Sequence, residues 1–230
     1  MIPVCNGREN IKLTLAEIED KVKTARRVLI IYDCDEDNTL PVVREWTDTK
    51  RDIALVKNKY GRGVLTAIKT GFEAVEERLI LVTMVALSDD LSKVDEMFKK
   101  INDGYDIVCG SRYMRGGEQQ GGAWLKKLLS KAAGISLHFS TGLPTHDVTN
   151  SFKMYTKKVL NDIKIESRGG FEIGMEIVIK AFQKGYRSTE GPSSWCDRER
   201  GNTRFRLWKW LPKYMKWYCF AINTRCHLIH

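Results

Sequence analysis

Four short apolar runs punctuate the first half of the chain: RRVLIIYD (26–33), DIALVKN (52–58), RLILVTM (78–84) and YDIVCGS (105–111). Each has the length and the aliphatic, partly β-branched content of a strand buried on both faces. Between them, LTLAEIEDKVKTA (13–25), GVLTAIKTGFEAVEE (63–77) and LSKVDEMFKKIND (91–103) place apolar residues at helical spacing. The alternation predicts βαβ units: an α/β fold, Rossmann-like, with a mainly parallel sheet flanked by helices. Open sheets of this kind bind ligands at the carboxyl ends of their strands. The expected site therefore lies at 32–39, 58–63, 84–90 and 111–117.

Beyond residue 121 the pattern is less regular. It predicts a helix in GAWLKKLLSKAAGISLHF (122–139), a loop in TGLPTHDVTN (141–150) and a helix in FEIGMEIVIKAFQKG (171–185). No internal repeat and no proline- or serine-rich linker divides the chain, so a single domain over 1–230 is expected. A border near 115 is functional, with a ligand-binding half before it (1–115), a second half completing the site (116–200) and a distinct C-terminal segment (201–230).

Composition narrows the partners. A net charge of +9 implies something anionic: nucleic acid, a membrane surface or a phosphorylated substrate. From 201 to 230 no acidic residue occurs, and Arg204, Arg206, Lys209, Lys213, Lys216 and Arg225 alternate with Trp208, Trp210, Tyr214, Trp217, Tyr218 and Phe220. Basic residues interleaved with large aromatics predict peripheral membrane contact through 204–222. The bland reading of the same segment is that its tryptophans pack as core and only the lysines reach solvent. Nucleic acid is not expected, because no RNA-binding motif accompanies the tail. The six cysteines form no CxxC pair, which suits a cytoplasmic chain, and no apolar stretch reaches about 18 residues. The expected location is the cytoplasm, with peripheral attachment to the cytoplasmic membrane face.

Four constellations could carry chemistry. Asp33-Cys34-Asp35-Glu36-Asp37 follows a buried strand and could hold a ribose, a base edge or a cation, or form a solvated turn with a helix capped at Asn38 or Thr39. Asn58-Lys59-Tyr60-Gly61-Arg62-Gly63 could bring backbone close to a phosphate or be a simple strand-to-helix turn. Its glycines do not meet the full dinucleotide fingerprint, which excludes a dehydrogenase. Gly110-Ser111-Arg112-Tyr113 offers a guanidinium for bidentate phosphate binding. Trp195-Cys196-Asp197-Arg198-Glu199-Arg200 adds cations beside the aromatic tail.

Taken in order, PVCNGRENI, YDCDEDNT, NKYGRGVLTAIKTG, LSDD, YDIVCGSRYMRGG, WLKKLLSKAAG, DVTNSFKMY, FEIGMEI and EGPSSWCDRERGNTRF resemble family-2 glycosyltransferases, and within them the dolichol-phosphate mannose synthase type. The resemblance implies a glycosyltransferase A fold. It also implies transfer of a hexose, with inversion, from a nucleotide-diphosphate sugar to a polyprenyl phosphate. By motif, Pro3, Asp33, Asp35, Gly61, Gly63 and Val85 would bind the donor. Arg112, Lys126, Ser130, Arg198 and Arg204 would surround the acceptor phosphate, with Arg112 and Arg198 catalytic.

A divalent metal, Mg²⁺ or Mn²⁺, is expected in the family at a D-x-D motif. Here the family pattern D-A-D-L-S-D-D falls on Met84-Val85-Ala86-Leu87-Ser88-Asp89-Asp90, so neither ligand is present and Asp89 is the remaining metal candidate. Cys5, Gly7 and Tyr32 also depart from the family at the donor side. The alternative is a weak or inactive relative that binds nucleotide sugar, lipid phosphate or a partner protein without transfer.

Overall fold

A computed structural model of the chain describes residues 1–85, 87–197 and 207–228. The elements run β1 (Ile2–Val4), α1 (Arg8–Lys21), β2 (Val28–Tyr32), α2 (Thr39–Thr47), β3 (Ile53–Lys57), α3 (Val64–Ala74), β4 (Leu79–Val82), α4 (Val94–Asn102), β5 (Ile107–Ser111), β6 (Glu118–Gln120) and α5 (Trp124–Thr141). They continue as β7 (Lys153–Thr156), α6 (Lys157–Asp162), α7 (Ile173–Gln183), β8 (Ser188–Pro192), β9 (Ser194–Cys196) and α8 (Leu207–Leu228).

β1, β2 and β3 pair in parallel, and β4, β7, β5 and β8 form a second ladder in which β7 runs antiparallel to both neighbours. Met1 joins the two: its N donates to Leu81 O (2.6 Å), and its O accepts from Thr83 N (3.2 Å). The result is one layer in the order β3-β2-β1-β4-β7-β5-β8. A strand from beyond residue 115 thus sits inside the sheet built by the first half.

The continuous apolar runs of β2 and β5 are explained by burial on both faces. On β2, Leu29 and Ile31 pack with Leu65, Ile68 and Phe72 of α3 and Ile173 and Ile177 of α7. Val28 and Ile30 point the other way, toward Ile11, Leu15 and Ile18 of α1, Val43 of α2 and Met97 and Ile101 of α4.

Two departures from the sequence pattern have physical causes. The helix expected over 13–25 starts earlier, at Arg8, and stops at Lys21. Asp95 accepts hydrogen bonds from Lys23 N, Thr24 N and Thr24 Oγ1, taking up donors a continuing helix would use, while Val22 turns extended and buries its side chain. Helix α2 is not among the helices that the apolar spacing predicts: it spans nine residues and holds Pro41, which its first turn tolerates. At the C-terminus, α8 buries Trp210 and Trp217 and exposes Trp208, so its tryptophans do not all pack as core. No described helix is long and apolar enough to cross a membrane.

Candidate functional site

The carboxyl ends of β1, β2, β4 and β5 open on one cleft of about 960 Å³. One wall holds the β1–α1 turn from Pro3 to Gly7, Asp33, Gly63 at the start of α3, and Met84, Val85 and Asp89 after β4. The facing wall holds Arg112 after β5, Lys126, Ser130 and Ser136 of α5, Phe171, and Leu211, Tyr214, Met215 and Tyr218 of α8. Asn6 (φ 51°) and Leu87 (φ 52°) are the two non-glycine residues with positive φ among the described residues, and they flank these turns. Backbone held in that region is over-determined by its surroundings, and such residues cluster at ligand sites.

On the first wall, Asp33 organises the β3–α3 loop. Its Oδ1 accepts from Asn58 Nδ2 (2.8 Å) and its Oδ2 from Gly63 N (3.1 Å). Asn58 is buried and also donates to Gly61 O and Thr66 Oγ1. Gly61 and Gly63 adopt φ of 82° and 143°, which a side chain would strain. Asp37 is buried beneath the neighbouring turn, its carboxylate accepting from Asn6 N (3.1 and 3.0 Å) and Thr39 N (2.8 Å). Asp35 points outward and pairs with Lys57.

On the second wall, Arg112 is held by Asp147 in a two-pronged pair, Nε to Oδ2 at 2.6 Å and Nη2 to Oδ1 at 2.9 Å, with Thr149 Oγ1 accepting from Nη2 at 3.2 Å. Asp147 also accepts from Arg112 N (3.1 Å) and Asn150 N (3.2 Å). Burial opposes both charges, but their attraction outweighs it: the Asp147 carboxyl lies below the usual carboxylate range and the Arg112 guanidinium above its ordinary value. Ser130 Oγ hydrogen-bonds Tyr113 OH, which donates to Gln119 Oε1 (2.9 Å), and Lys126 Nζ lies 5.9 Å from the Trp195 ring centroid. Tyr218 OH and Ser136 Oγ, 3.0 Å apart, tie α8 to α5, and Trp217 Nε1 donates to Ser167 Oγ (3.0 Å) beneath them.

The described residues do not fit a divalent metal. Met84 and Val85 offer no hard oxygen ligand, and Mg²⁺ and Mn²⁺ require such ligands. Asp89 Oδ2 accepts from Thr83 Oγ1 (2.8 Å) and Met84 N (3.2 Å), and burial pushes its carboxyl above the usual range despite those bonds. Among the described residues no three of His, Cys, Asp and Glu gather as a ligand set. Asp90, next to Asp89, caps the 3-10 turn Leu91–Lys93 that leads into α4, accepting from Ser92 N.

Pro3, Asp33, Gly63, Val85, Asp89, Arg112, Lys126 and Ser130 therefore meet in one cleft, whereas Asp35 and Gly61 do not line it. Arg198, Arg204 and Ala86 lie outside the described residues. Sequence reasoning missed the role of Asp147, although that residue opens the DVTNSFKMY segment. It also missed the cleft-facing side of α8, signalled by Trp210, Tyr214 and Tyr218 at i, i+4 and i+8.

The sequence profile of Glycosyl transferase family 2 matches residues 1–164. The chain is 26% identical over 208 residues to polyprenol monophosphomannose synthase of Mycolicibacterium smegmatis, covering 87% of this chain and 78% of that protein. It is 25% identical over 228 residues to dolichol-phosphate mannosyltransferase of Pyrococcus furiosus, covering 94% of this chain and 63% of that protein, so it spans under two thirds of that relative. Among solved structures, glucosyl-3-phosphoglycerate synthase from Mycobacterium tuberculosis, in complex with Mn²⁺, UDP and glucosyl-3-phosphoglycerate, superposes with a TM-score of 0.66 at 12% identity, covering 98% of this chain and 78% of that one. A mannosyltransferase from Pyrobaculum calidifontis, in complex with GDP-Man and Mn²⁺, gives 0.62 at 17% identity, covering 96% and 63%. At these identities the likeness concerns the fold, which is glycosyltransferase A.

Proposed function

The chain belongs to glycosyl transferase family 2, and from that premise we propose that it transfers a hexose from a nucleotide-diphosphate sugar to a polyprenyl phosphate. The observation that carries the reading is the single cleft in which Asp33 and Gly63 face Arg112, Lys126 and Ser130. The names of the two mannosyl-transferring relatives support the lipid phosphate as acceptor.

In this reaction an acceptor phosphate oxygen attacks the anomeric carbon, a C–O bond forms with inversion, and the bond to the nucleoside diphosphate breaks with the electron pair leaving on that group. A phosphate needs no general base, so the chain's contribution is orientation and charge stabilisation. Arg112 supplies positive charge in a fixed position because Asp147 holds two of its nitrogens. Lys126 and Ser130 project from the next helix toward the same space.

The apolar acceptor chain leaves the cleft between α5 and α8, past Ala132, Ala133 and Met215. Outside that exit, Trp124, Leu128 and Phe139 of α5 and Trp208 and Met215 of α8 are exposed, and Lys127, Lys131, Lys209 and Lys216 lie on the same two helices. This arrangement supports peripheral contact with an anionic bilayer, and it enlarges the contact expected over 204–222 to include α5.

Radiolabelled GDP-mannose and UDP-glucose, each incubated with a polyprenyl phosphate, test the reading: label moves into the organic phase. The apolar residues Met84 and Val85 favour a second reading, ligand binding without transfer. Tight nucleotide-sugar binding with no label moved from either donor would select that reading.

A further inference from the structure

We infer that the donor side of the cleft takes a nucleoside diphosphate without a bridging divalent cation, because the floor beneath it has become an apolar packing contact. The inference rests on the donor reading above. Its basis is how the β1–α1 turn and the segment after β4 fit together.

Three neighbouring positions carry Met84, Val85 and Ala86, and the first two line the cleft. Val85 is buried and closes onto Gly7 across the turn: a Cβ built on Gly7 would stand 3.0 Å from Val85 Cγ1, 3.3 Å from Val85 Cγ2 and 3.6 Å from Thr39 Oγ1. Any larger side chain at position 7 would have to displace both methyls. Val85 thus packs closely on the backbone of Gly7, next to Thr39 at the start of α2. Neither Met84 nor Val85 offers a cation an oxygen from its side chain there.

The carboxylates nearby are already engaged. Both oxygens of Asp33 accept from the β3–α3 loop, and both oxygens of Asp37 accept from Asn6 N. Asp35 pairs with Lys57 outside the cleft, and Asp89 Oδ2 holds Thr83 and the backbone of Met84. The oxygens of Asp33 and Asp37 thus face the turns that shape the pocket. Glu9 and Asp197 also line the cleft, yet no third His, Cys, Asp or Glu joins them in a ligand set among the described residues.

Isothermal titration of the whole chain with UDP and with GDP, in EDTA and then with excess Mn²⁺, tests this. The expected result is binding of at least one nucleotide with dissociation constants that agree within about threefold between the two buffers. Tightening of about tenfold or more on adding Mn²⁺ overturns the inference and leaves the donor reading standing. Failure of both nucleotides to bind in either buffer overturns the two together.

Discussion

Arg112 both lines the cleft and takes part in a buried ion pair. Its side chain is 8% exposed and that of Asp147 fully buried, so neither charge is well solvated, and each depends on the other. Removing one partner of a buried pair leaves an uncompensated charge and costs about 3–5 kcal/mol. Asp147→Ala is therefore expected to destabilise the fold by that order, and Asp147→Asn, which keeps the shape and one acceptor, by less. The pair also fixes an acid limit. The Asp147 carboxyl is depressed below 3.8 in the folded chain, so its stabilisation is complete above that value and is lost as pH falls through the lower folded value. Denaturation midpoints followed from pH 6 downward should drop in this window for the native chain and drop less for Asp147→Asn. Parallel profiles for the two proteins would show that the pair does not carry this dependence.

At the scale of elements, the same loop is set by the approach of α5. Gly134 lies within that helix, where alanine has the higher intrinsic propensity by about 1 kcal/mol. A Cβ there would come within 2.1 Å of His146 O and 2.9 Å of its carbonyl carbon, both backbone atoms that have little freedom to move. Overpacking costs about 1–3 kcal/mol, so the clash outweighs the propensity gain. Gly134→Ala is expected to lower the denaturant midpoint, and because His146 precedes Asp147, to loosen Arg112 as well. A raised midpoint would contradict the close approach. Elements of this kind differ in how well the sequence shows them. β2 and β5 stand out because their apolar runs are buried on both faces, β3 and β4 because their runs are apolar although partly exposed, and α3 because its periodic face packs on β2. β7 is hidden because Lys153, fully buried in its first position, satisfies its charge locally by donating to Val148 O and Asn150 O. The cleft's first wall was legible from the strand ends. The Arg112–Asp147 pair was not, since 35 residues separate partners that only the antiparallel insertion of β7 brings together.

For the molecule as a whole, charge and apolar exposure point the same way. The chain carries +9, and α5 and α8, which both line the cleft, expose Trp208 at 75%, Phe139 at 76% and Trp124 at 73%. Aromatic burial at a bilayer surface supplies affinity, and lysines near anionic headgroups add about 1 kcal/mol each, a contribution that salt screens. The chain is therefore expected to sediment with phosphatidylglycerol vesicles at low salt, to be released by high salt, and to ignore phosphatidylcholine vesicles. Burial then separates membrane contact from folding within one helix. Trp208→Ala should weaken vesicle binding severalfold and leave the melting temperature unchanged, because its ring packs on little. Trp217 is 2% exposed and donates to Ser167, so Trp217→Ala should cost about 3–5 kcal/mol of stability and act on vesicle binding only through unfolding. If Trp208→Ala bound vesicles as the native chain does, the exposed face of α8 would have no membrane role. The lipid acceptor would then have to reach the cleft from solution, carried by a micelle or another protein.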